Sequence, residues 1–211
     1  MRALLSVEPG IAGLRIDDHA KPEPGAGDLL VRVRAAGLNY PGVGGTEHGL
    51  APAGYPLLQE EVRLGSGLAV YRRVADGILS WELQRRAGLR VRADSPVVLA
   101  GTKVVSGFGV GPFRLDAQCR VVWVREPAPG GAPQSAGFGY GTLRGHPARG
   151  EESFEVEING RGTVFLRIQA FSKPANWFYA AGGLVTRAAQ RHVTSRYIEG
   201  ARTLASEGMP T

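Results

Sequence analysis

The sequence predicts an α+β fold in which a curved antiparallel sheet surrounds one long C-terminal helix. Several strand-like segments follow one another between residues 97 and 171, and their connections are too short for parallel crossovers. Apolar residues then recur at helical spacing near the C-terminus. The 211 residues are enough for one domain with a short appendage.

The N-terminal part of the chain is predicted to contribute strands and loops. Residues 1–36 are expected to form strand, loop and strand, because short apolar segments flank a loop rich in Pro and Gly. Residues 37–56 are again rich in Gly and Pro, which indicates a connection. A further strand is predicted over Leu57–Leu64.

A first helix is predicted over about Leu68–Ala87. Ser66 is suited to be its N-cap, and Gly88 fits the position just after its end. Gly77 costs about 1 kcal/mol inside a helix, which is too little to break it. The apolar stripe of this helix consists of Val70, Tyr71, Val74, Ile78 and Trp81.

Five strands are predicted after this helix from their β-branched and aromatic content. In one of them Glu155 and Glu157 alternate with apolar residues, which predicts one wet face and one buried face. Asn159-Gly160 is typical of a hairpin turn, and the run Gly107–Gly111 is predicted to be a turn as well. The predicted strands are Val97–Val105, Gln118–Arg125, Gly137–Leu143, Ser153–Ile158 and Thr163–Phe171.

A long helix is predicted from Gly183 or Leu184 to Ser206, with a length of roughly 35 Å. Several residues of its inner stripe are small, so we expect a hollow between this helix and the sheet. The predicted stripe consists of Val185, Ala188, Ala189, His192, Val193, Tyr197, Ala201 and Leu204.

Metal and cofactor chemistry has no support in the sequence. The single cysteine, Cys119, lies in an apolar strand and is expected to be a small buried hydrophobe. The 4 histidines are far apart and none has a partner at metal-ligand spacing. Phosphate-binding loops, HExxH and GxSxG are also missing from the sequence, so no cofactor is predicted.

Nucleic-acid and membrane functions are not expected either. The net charge of +6 is modest, and no basic block interleaved with aromatic residues and no Cys/His finger pattern accompanies it. No apolar run approaches the roughly 18 residues of a membrane helix. The N-terminus has no secretory signal, so we expect a cytoplasmic protein.

The densest group of polar residues lies between Tyr140 and Glu152. One interpretation is a pocket rim, in which His146 and Glu152 are acid/base partners and Tyr140 donates a hydrogen bond. The other is a tight turn, in which a carboxylate accepts turn N–H bonds and His146 packs on its neighbour. No nucleophile or metal ligand accompanies the pair, which favours the turn.

Other candidate ligand-binding residues are mainly aromatic. Trp81, Trp123 and Trp177 are expected in the core or in a cavity wall. Thr142, which belongs to the polar group between Tyr140 and Glu152, is a further candidate. Arg167 shares a strand face with two phenylalanines. If that face points inward, Arg167 needs a carboxylate or an anionic ligand; if it points outward, it is an ordinary solvated arginine, and the outward orientation is favoured.

A series of short motifs follows in a fixed order over about residues 40–204. The motifs are Tyr40–Thr46, Pro52–Tyr55, Arg63–Gly67, Trp81, Arg86–Val91, Gly137–Leu143, Gly145–Pro147, Gly150–Glu152, Ala170–Pro174 and Gln190–Tyr197. Together they resemble the uncharacterised DUF1990 family, also called UPF0548. Ala148 stands where that family usually has an acidic residue after His-Pro, which weakens a catalytic interpretation of this loop.

The predicted order of elements, which is strand, helix, antiparallel strands and long C-terminal helix, is similar to the START-like (SRPBCC) helix-grip fold. Members of that superfamily usually hold a hydrophobic ligand between sheet and helix, although a likeness of fold alone does not give function. Residues 1–40 resemble instead the N-terminus of quinone-oxidoreductase-type dehydrogenases, although Gly42 replaces the usual Asp and no nicotinamide-binding unit follows. The implied organisation is a β-appendage at 1–40, a helix-grip domain at 41–206 and a tail at 207–211.

Three functional hypotheses remain open at this point. The first is a binding module for a small hydrophobic or amphipathic molecule, oriented by Tyr140, His146 or Arg167. The second is an enzyme of cyclase or hydrolase type that uses the His146/Glu152 loop. The third is a truncated oxidoreductase fusion without independent redox activity, whose N-terminal β-segment packs on a protein partner.

Overall fold

The computed structural model describes residues 37–110, 113–175 and 183–207. The strands predicted within residues 1–36 and the candidate Trp177 lie outside these ranges. The predicted division of the chain near residue 40 therefore stays a prediction.

Seven strands form one antiparallel sheet. In the order of the sheet, β1 pairs with β7, and the remaining strands follow as β6, β5, β4, β3 and β2. Strands β2 to β7 thus pair with their neighbours in sequence, as short connections predict. Their bounds are β1 Leu57–Ser66, β2 Arg90–Ala93, β3 Lys103–Val110, β4 Phe113–Arg125, β5 Gln134–Thr142, β6 Ala148–Ile158 and β7 Thr163–Pro174.

Two strand predictions around β3 were wrong. The strand predicted from Val97 begins only at Lys103, because the Val98 amide donates to the Leu79 carbonyl and ties this segment to the preceding helix. The predicted turn at Gly107–Gly111 is strand up to Val110, since its backbone pairs with β4. Strand β2 was not predicted.

The first predicted helix is in fact two helices, α1 over Leu68–Leu79 and α2 over Glu82–Arg86. The break falls at Trp81, whose φ of 65° is left-handed and costs on the order of 1 kcal/mol or more. The indole is fully buried and packs edge-on against Phe138 at 5.2 Å. Burial of the indole therefore interrupts the helix. Gly88 ends α2 as predicted, with a φ of 88°.

The C-terminal helix, α3, spans Gly183–Ser206 as predicted and packs on one face of the sheet, the inner face. Its Tyr197 ring meets the Phe154 ring of β6 at 4.5 Å. Gly77 of α1 is a close-approach site, because a Cβ there would lie 2.6 Å from Leu204 Cδ1. The prediction for His192 was wrong, since this side chain is exposed.

The segment 37–56, which includes a short 3-10 helix at Gly45–His48, covers part of the opposite, outer face of the sheet. Two glycines of β5 make room for it. A Cβ on Gly141 would lie 1.9 Å from the Tyr40 hydroxyl, and one on Gly139 would lie 2.9 Å from Thr46 Oγ1. The predicted connection is therefore a packed part of the domain.

Candidate functional site

A polar cluster lies on the inner face of the sheet among aromatic rings. Tyr140 on β5 and Glu152 on β6 are directly opposite each other in the register. The Tyr140 hydroxyl donates to Glu152 Oε2 at 2.8 Å, and the Tyr197 hydroxyl of α3 lies 3.5 Å from that of Tyr140. Either of the two phenolic hydroxyls can be the donor in this second contact. The three side chains form a hydrogen-bonded chain between helix and sheet.

Burial changes the acidity of this cluster. It raises the pKa of Glu152 to about 7, although the hydrogen bond from Tyr140 acts in the opposite direction. It also raises the pKa values of Tyr140 and Tyr197 well above the usual value, so both phenols stay neutral. Glu152 is nonetheless half-buried rather than fully enclosed. A group with these properties can exchange its proton near neutral pH.

Cys119 lies on the same face, on the strand next to β5, and is buried. Burial raises the pKa of its thiol, and the nearby Glu152 raises it further. The thiol is therefore protonated and a poor nucleophile, as expected for a structural cysteine.

His146 does not form the predicted pair with Glu152. Its Nδ1 accepts a hydrogen bond from the Ala148 amide at 2.9 Å, within the turn between β5 and β6. Burial lowers the pKa of His146 to about 4, so the ring is neutral at pH 7. Among the described residues no hydrogen bond links His146 to Glu152. The local turn interpretation of this histidine agrees with the geometry.

Two further candidates have structural partners. Thr142 Oγ1 accepts from the Gly150 amide at 2.9 Å and so joins the ends of β5 and β6. Trp81 is fully buried, and its indole N–H donates to the Ser95 carbonyl at 3.2 Å. Both side chains are buried and hydrogen-bonded within the protein, so they have a structural role here.

Arg167 lies on the outer face, so it does not share a site with Tyr140. Its guanidinium donates to Glu61 at 3.0 Å and to Glu157 at 3.2 Å. The inward orientation, with an anionic ligand head group, is therefore wrong. The outward orientation favoured from the sequence agrees with this position.

Glu151 is an important residue that the sequence analysis missed. Its carboxylate is buried and accepts the Tyr40 hydroxyl, the Gly44 amide and the Thr46 amide at 2.8, 2.8 and 2.9 Å. It is thus Glu151, not Glu152, that receives backbone N–H bonds. Its partners are more than 100 positions away in sequence, so no local pattern could reveal them.

Two prominent clefts are formed by described residues, and neither of them lies between α3 and the sheet. One, of about 920 Å³, is at the end of the sheet beside His146 and Tyr55. The other, of about 470 Å³, is next to the end of α1 and includes Val97 and Leu99. The predicted hollow under α3 stays a prediction.

No described helix is long and apolar enough to cross a membrane. Within the same described ranges, no three His, Cys, Asp or Glu side chains are grouped so as to hold a metal ion.

A single antiparallel sheet packed on a long C-terminal helix makes this an α+β helix-grip protein. Residues 39–200 match the family model described as "Domain of unknown function (DUF1990)", and the chain belongs to that family. The resemblance of residues 1–40 to quinone oxidoreductases stays a prediction.

Curated relatives are UPF0548 proteins. One from Arabidopsis thaliana is 29% identical over 140 residues, which cover 66% of this chain and 68% of the relative. One from Deinococcus radiodurans is 29% identical over 180 residues, which cover 80% of this chain and 88% of the relative.

Solved structures share the fold at low identity. A hypothetical protein from Helicobacter pylori has a TM-score of 0.54 at 10% identity, with 84% of this chain and 99% of that chain covered. Truncated norcoclaurine synthase from Thalictrum flavum has a TM-score of 0.52 at 10% identity, with 74% and 96% covered. These likenesses show a START-like fold and nothing about the ligand.

Proposed function

We propose that this protein is a binding module for a small hydrophobic or amphipathic molecule, held between the inner face of the sheet and α3. The observation that carries the proposal is the half-buried Glu152 carboxyl, which is hydrogen-bonded to Tyr140 at 2.8 Å beside aromatic rings of the inner face. A carboxyl in such surroundings is costly to ionise unless it has polar partners. A ligand with a polar end would supply one.

The neighbouring strands offer apolar surface beside this carboxyl. Glu152 pairs with Ala170 on β7, and Ala170 pairs with Leu58 on β1. Leu58 and Val62 on this edge strand are only half-buried, in contrast to the fully buried Phe154. The body of a ligand can be placed against them, while its polar end meets Glu152.

The pKa of Glu152 indicates which polar groups of a ligand the carboxyl can bind. With a pKa of about 7, the carboxyl exists in both protonation states near neutral pH. It can accept a hydrogen bond from a ligand hydroxyl or amine, or donate one to a carbonyl. A START-like structure of norcoclaurine synthase in complex with dopamine and hydroxybenzaldehyde, with a TM-score of 0.50 at 11% identity, supports small aromatic molecules as a size class that the fold accommodates.

An acid–base enzyme of cyclase or hydrolase type is the second candidate. The observation that favours it is the same pKa near 7, because a general acid or base works best near the operating pH. The geometry supports Glu152 with Tyr140, and not His146, as the reacting pair. A reaction would require turnover of the bound molecule, whereas a binding module releases it unchanged.

The first experiment is native mass spectrometry of the protein purified from its host. A co-purifying small molecule of constant mass supports a binding module, and its chemical conversion on the protein supports the enzyme.

A second experiment, binding of the neutral fluorophore N-phenyl-1-naphthylamine to variants of the protein, locates the site. Glu152→Gln and Tyr140→Phe should change the affinity for this probe, whereas Glu157→Gln, on the outer face of the same strand, should not. Equal binding by all variants would contradict an inner-face site.

A further inference from the structure

The cleft of about 920 Å³ lies at the end of the sheet where β5 turns into β6, away from the Tyr140–Glu152 cluster. Its wall includes two arginines of this turn region, Arg144 and Arg149, and two rings from the segment that covers the outer face, Tyr40 and Tyr55. The volume is within the range of sites for small molecules. The cleft therefore has room for a ligand, and its lining indicates which kind.

No carboxylate of the described residues forms an ion pair with the cations of this region. Arg149 stands directly opposite Lys173 in the register of β6 and β7, and like charges in that position repel each other. Neither of these two cations, nor Arg144, has a carboxylate within ion-pair distance among the described residues. The nearby Glu151 is buried and already accepts four hydrogen bonds from the covering segment.

Two other arginines of the outer face have acidic partners. Arg167 contacts Glu61 and Glu157, and Arg125 contacts Glu155. The cations at the cleft differ from these two arginines in having no acidic partner among the described residues. Guanidinium groups present several N–H donors in a fork that fits a carboxylate or a phosphate.

The two tyrosine rings of the cleft are fixed by contacts with neighbouring side chains. Both Tyr40 and Tyr55 pack edge-on against Phe171, at 5.7 and 5.8 Å between ring centres. The Lys173 ammonium lies over the Tyr55 ring at 4.7 Å. His146 also lines the cleft, and its ring is neutral at pH 7.

We propose that this cleft binds a small organic anion with a planar ring. Its carboxylate or phosphate is held by Arg144 and Arg149, and its ring lies against Tyr55. This site is separate from the inner face, so the proposal does not depend on the binding function proposed above.

The test is an NMR titration of the full chain with phenyl phosphate, benzoate, inorganic phosphate and neutral benzyl alcohol. The expected shifts are in the backbone amides of residues 144–149 and in the Nε–H of Arg149. Arg144→Ala and Arg149→Ala should each weaken binding of the preferred ring-bearing anion at least about tenfold. Arg161→Ala, which removes an exposed arginine at the β6–β7 turn, should leave it unchanged.

The relative affinities of the four probes show which chemical group the cleft binds. Preference for phenyl phosphate or for benzoate identifies the anionic group. Benzyl alcohol that binds as tightly as the anions overturns the role of the arginines, and inorganic phosphate that binds as tightly as phenyl phosphate overturns the role of the ring. Absence of binding by all four probes, or equal weakening by Arg161→Ala, would overturn the site itself.

Discussion

Arg125 of β4 reaches Glu155 of β6 across Gly137 of the strand between them. Gly137 pairs with Arg125 on one side and with Glu155 on the other, and its missing side chain leaves the path between the two charges open. The same row continues through Arg167 to Glu61 on the edge strand. A line of alternating charges therefore crosses the outer face over five strands.

Gly137→Ala should lower the free energy of unfolding by about 2–4 kcal/mol. A Cβ at this position would lie 2.2 Å from the Phe154 carbonyl oxygen, so the backbone of β6 would have to move. Urea denaturation measures the change. Gly160→Ala is the control, because its Cβ meets nothing within 4 Å, and it should be nearly neutral. Equal stability of the two variants would contradict the close packing of β5 on β6.

Glu151→Gln should cost about 2–3 kcal/mol of stability. The glutamine would turn an amide N–H₂ toward donors that now meet a carboxylate, among them the Tyr40 hydroxyl and the Thr46 amide. The matched variant Glu157→Gln loses a partly exposed ion pair with Arg167 and should cost less than about 1 kcal/mol. Hydrogen exchange of residues 40–48 should speed up in the Glu151 variant alone; unchanged exchange there would refute the anchoring role.

The sequence carried enough information for the regular strands and for α3. Alternation in β6 predicted its buried face, and Phe154, Val156 and Ile158 are buried while Glu155 and Glu157 stay partly exposed. The break at Trp81 could not be predicted, because the apolar stripe runs through it without a proline or a glycine. There the burial of one indole outweighs local helix propensity.

The candidate site could be predicted only in part, because its contacts depend on tertiary structure and not on local sequence. Tyr140, His146 and Glu152 are close in sequence, so the sequence predicts one polar region that contains all three. Which of them meet depends on the register of β5 and β6, which places Tyr140 opposite Glu152 and leaves His146 in the turn. Long-range partners such as Tyr40 and Glu151 have no local signal at all.

The pH dependence of stability should reveal Glu152. Its pKa is raised from 4.5 to about 7 in the folded protein. Between these pH values the folded protein still holds the proton, whereas the unfolded chain has lost it. This group therefore lowers stability as pH rises from about 4.5 to 7, by about 3 kcal/mol at most. Glu152→Gln cannot lose a proton, so its stability relative to the wild type should increase over this window. A constant difference between pH 4.5 and 7 would contradict the raised pKa.

His146 should act in the opposite direction over nearly the same window. Its pKa is lowered from 6.5 to about 4, so the folded protein resists protonation while the unfolded chain accepts it. The stability linked to this group is complete above about pH 6.5 and is lost as the pH falls toward 4. His146→Asn, which keeps an acceptor for the Ala148 amide, should lose less stability on acidification than the wild type. Parallel curves for the two proteins would argue against a buried neutral ring.

Arg149→Gln should leave the melting temperature unchanged or raise it slightly. Arg149 faces Lys173 across β6 and β7 without an acidic partner in the described residues, so its removal relieves repulsion of roughly 0.2–1 kcal/mol. Arg125→Gln is the contrasting variant, because Arg125 is paired with Glu155 and its loss should not stabilise. Added salt should reduce the gain in the Arg149 variant, since screening weakens the same repulsion. A clear loss of stability in Arg149→Gln at low salt would show that this arginine holds the fold rather than a ligand.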